Sequence, residues 1–329
     1  MNINPGILDI STASDLVDLS IQDKWLKIPS AEYMEAFRRL CNVRPGNMDE
    51  TVKDTSMSGG GSFQRKPEGQ NRPKDKPIQG FDKSATIVEY SVQLEVTKRM
   101  WVFGIQKNKI ENLVQSYKVG AMERRERDFE DRLNNSFATS YTEEGGDTVT
   151  LTGGDGLALF SASHTREDAG TNNNNIVYDG TTYNMDYDYD ALKALALTAK
   201  LVKGLRGEEM SINPDTVVVQ RNSAVAFRAK EINGSVGMPG GNDNDANAIG
   251  KKNIEELSYL TSTGYWFAVD PSMVNGMYGF QYVETQDITL GSQIINEDSG
   301  NFKYNVDAMW EYYHNDYRPW FGSKGTNAA

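Results

Sequence analysis

The chain contains one cysteine, Cys41, and two histidines, His164 and His314, in 329 residues. A single cysteine excludes an internal disulfide and any cysteine-rich zinc site, and it fits a reducing compartment. Two histidines 150 positions apart do not make a metal site. Long apolar runs are also missing. None approaches the roughly 20 residues that cross a bilayer, and the opening MNINPGILDISTASD lacks the basic and then apolar pattern of a signal peptide. No membrane partner is expected, and the protein is expected to stay in the compartment where it is made. Positive charge is in short supply, with Lys and Arg at 34 against Asp and Glu at 46 and a formal net charge of -12. That balance argues against a protein that wraps nucleic acid, because phosphate binding draws on a surplus of cations. An acidic protein can still enclose DNA without adhering to it.

The length suffices for a core in one large or two modest domains. Hydrophobic residues make up 38% and the mean hydropathy is -0.59, so the chain is rich in surface for a lone globule. Along residues 1 to 45, Tyr33, Met34, Phe37, Leu40 and Cys41 recur at helical spacing after Pro29 and Ser30, until Pro45 and Gly46 end the pattern. This stripe is expected to cover a surface at the edge of a domain. From Asn47 to Gly80 apolar residues are few, and Gly59, Gly60, Gly61, Pro67, Pro73 and Pro77 punctuate the run. Such a stretch buries too little to offset its ordering entropy. It reads either as a linker or as a loop that docks on another copy, because Arg65, Lys66, Arg72, Lys74 and Lys76 outnumber Glu68 and Asp75.

The alternation of Val88, Tyr90, Val92, Leu94 and Val96 with polar residues predicts a strand, expected as the returning limb of a long hairpin. Residues 106 to 139 predict one long helix, with Ile110, Leu113, Val114, Tyr117 and Ala121 on one face and Met122, Phe129, Leu133 and Phe137 on a rotated one. Gly120 sits inside it at a cost of about 1 kcal/mol relative to Ala. The segment Glu123 to Arg132 is dense in charge, pairing Glu123 with Arg127, Arg124 with Asp128, Arg127 with Asp131 and Asp128 with Arg132 at i,i+4 spacing. A solvated face is the expectation there, and a subunit interface the sharper alternative.

Farther on, Tyr187 to Lys203 predicts a helix with Asp188 and Asp190 in its first turn. Thr216 to Val219 reads as a buried strand, Ala224 to Ile232 as a helix, and residues 233 to 248 as a Gly/Asn-rich loop. Strands return at Tyr265 to Val269, at Tyr278 to Val283 and in the alternation from Phe302 to Tyr312. Pairing between regions on both sides of the middle unit is implied, in an α+β fold.

The order of these pieces, with the phrases GGDGLALFSASHT at 153 to 165 and the closing stretch from Trp310 through His314, Asp316 and Arg318 to Gly322 and Gly325, resembles the major capsid proteins of tailed bacteriophages, which have the HK97-like fold. The resemblance implies an N-terminal arm over 1–45, an extended hairpin loop over 46–97, a peripheral domain with its spine helix over 98–182, an inserted α/β axial domain over 183–270, and strands returning to the peripheral domain with the C-terminal tail over 271–329. It further implies a homo-oligomer of pentamers and hexamers that encloses DNA in a virion and assembles in the host cytoplasm. Scaffolding, portal and decoration proteins are the further partners it brings. The candidate assembly contacts are Arg65, Lys66, Arg72, Lys74 and Lys76 in the loop and Glu123, Arg124, Arg127, Asp128 and Asp131 on the helix.

Other readings start from particular residues. Ser161, Ser163, His164, Glu167 and Asp168 list the groups of a hydrolytic triad, but no nucleophile elbow surrounds either serine, and His164 is expected on the surface. Gly153, Gly154 and Gly156 lack the Gly-Lys-Ser/Thr ending of a phosphate loop. Asp179, Asp186, Asp188 and Asp190 lack the spacing and closing Glu of a calcium loop. No catalytic, cofactor or metal residue is therefore assigned. A cellular nanocompartment shell resembles the same fold, and an adhesin or carbohydrate-binding module would account for the 16 tyrosines but not for the charged helix.

Overall fold

The computed structural model describes residues 22, 25–26, 35–46, 49–57, 65–72, 74, 79–97, 107–166, 170–235, 247, 249–276, 278–296 and 299–326. Two sheets organise it. The first has β12 (Phe302–His314) at its centre, with β10 (Phe280–Leu290) antiparallel on one side and β4 (Val88–Val96) antiparallel on the other. β1 (Asn42–Pro45) adds a parallel strand outside β10, and β11 (Ile294–Ile295) pairs with the start of β12. The alternation read from Phe302 onward is realised along β12, where Phe302, Tyr304, Val306, Ala308, Trp310 and Tyr312 are all buried and the residues between them are half-buried. One face of this sheet thus receives the long helix; the other is polar along β4 and the first half of β12 and is buried at the far end, where Gln281, Val283 and Tyr313 are at most 4% exposed. On the polar face Ser91 donates to Asp307 at 2.6 Å, Gln93 to Asn305 at 3.0 Å and Asn301 to Glu95 at 2.7 Å.

The helix on the apolar face, α2 (Lys107–Asn134), is 28 residues long. It stops short of the expected end at 139, and Phe137 beyond it packs instead against Phe160, Tyr265 and Phe267. Before it in the chain, α1 (Phe37–Leu40) is a single turn whose Phe37 and Leu40 are almost fully buried. Phe37 meets Tyr282 and Tyr312 edge-on, with ring centroids 4.7 and 5.7 Å away. The stripe expected at a domain edge is therefore part of the core, and the chain leaves helix for strand at Asn42, where backbone pairing with β10 outweighs the helical spacing; Tyr33 and Met34 lie outside the described residues.

β2 (Thr51–Met57) and β3 (Gln79–Thr86) form a two-stranded sheet of their own. The returning limb of the hairpin is accordingly β3, not the strand from Val88, which continues from it into the main sheet as β4. A strand lies within the polar stretch from Asn47 because β2 pairs with β3, placing Val52 against Ala85, and a two-stranded ribbon whose outer backbone groups can face water needs little apolar burial. A small hairpin follows α2, made of β5 (Ser140–Thr142) and β6 (Thr148–Thr150).

The second sheet runs β13 (Trp320–Ser323), β9 (Trp266–Val269), β7 (Thr216–Gln220), β8 (Asn253–Leu257). β7, β9 and β13 are buried almost throughout, as expected for strands covered on both faces. Val217, Val219, Trp266, Ala268 and Phe321 pack under α3 (Tyr189–Leu201) and α4 (Ala224–Gly234), while Val218, Phe267, Val269 and Trp320 join the core of the first sheet. Side-chain caps start three helices: Asp188 accepts from Ala191 N–H, Ser223 from Ala226 N–H, and Asp270 from Ser272 N–H ahead of α5 (Pro271–Asn275). The tail does not return to the first sheet. Its Trp320–Ser323 strand closes the edge of the second, at Gly322 with the Phe160 ring lying where a Cβ would stand. The loop expected over 233 to 248 lies mostly outside the described residues.

Phe37 ties α1 to the sheet without a polar group of its own. Phe37→Ala is expected to lower unfolding free energy by about 3–5 kcal/mol, measured as a shift of the denaturant midpoint at unchanged slope. A cost near zero would show that α1 is a removable arm.

Candidate functional site

The hairpin and the helix carry the residues expected to mediate assembly. At the base of the hairpin, Arg44 Nη1 donates to Asp54 at 2.7 Å, Tyr313 Oη donates to the same carboxylate at 2.8 Å, and Lys83 Nζ donates to the Thr152 carbonyl at 2.6 Å. In the loop, Arg65, Lys66, Arg72 and Lys74 are all exposed, whereas Lys76 lies outside the described residues.

The charged run of α2 behaves otherwise than expected. Arg125, Glu126, Asp128, Glu130 and Arg132 are at most 3% exposed, so the segment is a buried polar spine and not a solvated face. Of the four expected i,i+4 pairs only Asp128 with Arg132 forms among the described residues. Arg124 turns instead to Glu143, and the exposed Arg127 lies 3.9 Å from Glu144 and over the Tyr259 ring. Glu123 and Asp131 are half-buried. Burial, together with the Asp128 charge, raises the Asp131 carboxyl above its usual value. These side chains are partners for the aromatic strand opposite: Asp128 accepts from Trp310 Nε1 at 3.1 Å and Tyr90 Oη at 3.3 Å, and Arg132 donates to Glu311 at 2.7 Å and to the Tyr312 carbonyl at 3.0 Å. The signal was in the sequence, since Trp and Tyr facing a core need acceptors for their polar tips.

Two glutamates on this helix are held near neutrality. Glu126 is fully buried and neither carboxylate oxygen has a hydrogen bond. Burial and the neighbouring Glu130 raise its pKa to about 8, against weaker opposition from the Phe37 N–H, which is near but outside hydrogen-bond geometry, and from Arg125 and Arg39. Glu130 is raised to about 7 by burial, although the Ser258 and Tyr259 N–H groups donate to it. Burial raises Glu311 to about 7 in spite of Arg132.

A second polar node joins the two phrases at 153–165 and 310–325. His164 is 1% exposed, contrary to its expected surface position, because both ring nitrogens have buried partners. Nδ1 lies 2.6 Å from Asp155, Nε2 lies 3.2 Å from the Leu159 carbonyl and from Asn175 Oδ1, and the ring stacks on Tyr317 at 3.6 Å. Burial alone would raise the Asp155 carboxyl, but the hydrogen bond and charge of His164 hold it below the usual range. His314 borders the same node, and burial lowers its pKa to about 3. Asp316 and Arg318 pair beside them. The cavity at this node is about 30 Å³, room for little more than water.

The other candidate chemistries find different surroundings. Neither His164 nitrogen meets Ser161 or Ser163, and Glu167 and Asp168 lie outside the described residues. Gly153 to Gly156 form a hydrogen-bonded turn, with Gly153 N–H donating to the Leu157 carbonyl and no helix following. Asp179 caps the Thr181 and Thr182 N–H groups, Asp186 accepts from Thr326, and Asp188 caps α3, so these acids serve separate turns. Among the described residues no three metal-binding side chains cluster, and no helix is long and apolar enough to cross a membrane.

No family model and no curated protein matches the chain. Among solved structures it is similar to the capsid of Myoviridae phage XM1, at 12% identity and a TM-score of 0.45, covering 91% of this chain and 95% of that one. The Gordonia phage Cozz structure gives 13% identity and a TM-score of 0.49 over 90% of this chain and 87% of that one. A virus-like particle from Pyrococcus furiosus gives 10% identity and a TM-score of 0.43 over 94% and 98%.

The buried glutamates set a pH dependence. With folded pKa values raised above the unfolded ones, the native state binds more protons between about pH 4.5 and 8, so stability falls as pH rises through that window, by at most about 1.4 kcal/mol per pH step of one for each glutamate. Urea denaturation is expected to show the decline, and Glu126→Gln to flatten it. Equal slopes in the two proteins would contradict a strained Glu126.

Proposed function

We propose that this chain is a structural shell subunit, the major capsid protein of a tailed bacteriophage with an HK97-like fold. The observation that carries the reading is the hairpin: among the described residues β2 and β3 pair only with each other, and they present an exposed basic segment on a chain of net charge -12. The paired strands are tied to the subunit body through Asp54 and Lys83, and the exposed basic side chains beyond them are free to meet another molecule. The sequence phrases that resemble capsid proteins lie in the polar node, where they hold the base of the hairpin near the tail.

In this reading residues 1–45 are the arm, 46–97 the extended loop, and 98–182 the peripheral domain built on α2. Residues 183–270 are the axial domain, and 271–329 return to the peripheral sheet through β10 and β12 before β13 completes the axial sheet. The subunit forms pentamers and hexamers around DNA in a virion that assembles in the host cytoplasm, with scaffolding, portal and decoration proteins as further partners. It acts by assembly and not by catalysis. Its acidity suits a wall that confines DNA without binding it. Ring contacts are heterologous, so a cationic projection and an acidic body on one subunit are complementary.

The purified chain is expected to form closed shells, seen by sedimentation and negative-stain microscopy; discrete monomers under all assembly conditions would overturn the reading. Reversing Arg65, Lys66, Arg72 and Lys74 to Glu is expected to leave the circular dichroism of the monomer intact and to weaken assembly, most at low salt. Each exposed pair is worth only about 0–1 kcal/mol, but a ring repeats the contact. Unchanged assembly and salt dependence would make the segment a passive linker.

A further inference from the structure

The joint between α2 and β8, the edge strand of the second sheet, is polar. Glu130 is fully buried and accepts from the N–H groups of Ser258, at 3.2 Å, and Tyr259, both just past β8. One turn farther along α2, Asn134 donates to the Tyr259 carbonyl at 3.3 Å and accepts from Thr261 N–H at 2.9 Å. From α1, Arg39 donates to both oxygens of Glu255 in β8, at 2.9 and 2.8 Å. Three parts of the chain, α1, α2 and the stretch from 255 to 261, are thereby held together by polar contacts.

Glu126 stands among them. It lies one turn before Glu130 on the same face of α2, is fully buried, and offers two oxygens that no donor meets. The cations that face it engage other carboxylates, Arg39 that of Glu255 and Arg125 that of Asp287 at 3.1 Å. Burial raises the Cys41 thiol and the Tyr312 phenol that also face it, so neither brings a charge, and Asp131 adds negative charge beside Glu130. A carboxylate buried without a donor is too costly to keep ionised, so this geometry holds Glu126 as the neutral acid. Glu130, with N–H groups donating to it, is the better placed of the two to carry charge, and its charge disfavours ionisation of Glu126 further.

We propose that the proton on Glu126 is the latch of this joint: while it is held, α1 and the turn after β8 stay closed on α2, and its release accompanies their opening while both sheets stay paired. The inference concerns a single subunit and stands apart from the shell reading. Local opening is available because α1 is one turn long and residues 258 to 261 belong to no strand or helix. The closed form keeps the proton and the open form, with Glu126 in water, loses it. The opening constant is therefore expected to rise about tenfold per pH step of one from about pH 4.5 to 8 and to level off above that.

Cys41, the single thiol of the chain, is 4% exposed at the end of α1 and serves as the probe. The folded full chain is labelled with dithiodipyridine and its rate divided at each pH by that of the urea-unfolded chain. Protection of Cys41 is expected to fall about a hundredfold between pH 5.5 and 7.5, at a rate that low urea leaves nearly unchanged. Hydrogen exchange at the Ser258 and Tyr259 amides, corrected for its intrinsic pH dependence, is expected to follow the same course. Glu126→Gln keeps the side chain's size and removes the titration, so its protection is expected to stay constant over this range. Protection independent of pH in the original chain overturns the proposal, whether or not the variant folds, and so does an equal decline in Glu126→Gln. Labelling that rises with urea as steeply as global unfolding also overturns it, because the glutamate then burdens the whole fold and operates no joint.

Discussion

The fold depends on how β12 and α2 satisfy each other. β12 presents three aromatic side chains with polar tips among its buried face, and α2 answers with buried charges beside the apolar ridge of Val114, Met122, Phe129 and Leu133. Asp128 is shared among Trp310, Tyr90 and Arg132, and Arg132 extends the chain of contacts to Glu311 and to the backbone of β12. Buried ion pairs cost desolvation that their attraction only partly returns, so this network is a weak source of net stability. Its effect is on uniqueness. A slip of one residue in β12 would move Trp310 and Tyr312 to the open face and leave Asp128 and Arg132 buried without partners, a double penalty that fixes the register.

From that register the rest of the molecule takes its position. β12 holds β10 and β4 on either side, β10 holds β1, and Phe37 then sits in the pocket of Tyr282 and Tyr312. The second sheet is tied to the same core through Phe267, which stacks on Phe160 at 5.4 Å, and through Trp320 against Phe280. Glu130 reaches from α2 to the backbone of Ser258 and Tyr259, just past the end of β8. The two sheets therefore share one side of their cores while the other face of the second sheet has a separate core under α3 and α4.

The elements with strict periodicity were legible in the sequence. β12 announced itself by alternation over eleven residues from Phe302 to Tyr312, α2 by its length, and α3 by the acids Asp188 and Asp190 at its start. What was not legible depended on partners distant in the chain. The helical spacing of Phe37, Leu40 and Cys41 carried no sign that Asn42 to Pro45 would find β10, more than 230 residues later. Charges at i,i+4 spacing describe an isolated helix, and tertiary acceptors and donors overrode that pattern at Arg124, Asp128 and Arg132. His164 looked like a loop residue because nothing local reveals that Asp155, Asn175 and Tyr317 converge on it.

The interior network also bears on the surface. Along β4 and the first half of β12 the chain places its apolar residues on the α2 face and leaves the opposite face to cross-strand hydrogen bonds such as Ser91 to Asp307. A wall of one sheet and one helix covers much area with little material, which is the geometry that the proposed shell requires, but it also limits how much a single subunit can bury. The features left over among the described residues, a hairpin whose strands pair only with each other and an edge strand beside an apolar groove, are surfaces that a second copy can complete. Stability of the proposed assembly would then reside between subunits and not within them, so that association and folding draw on the same limited apolar surface.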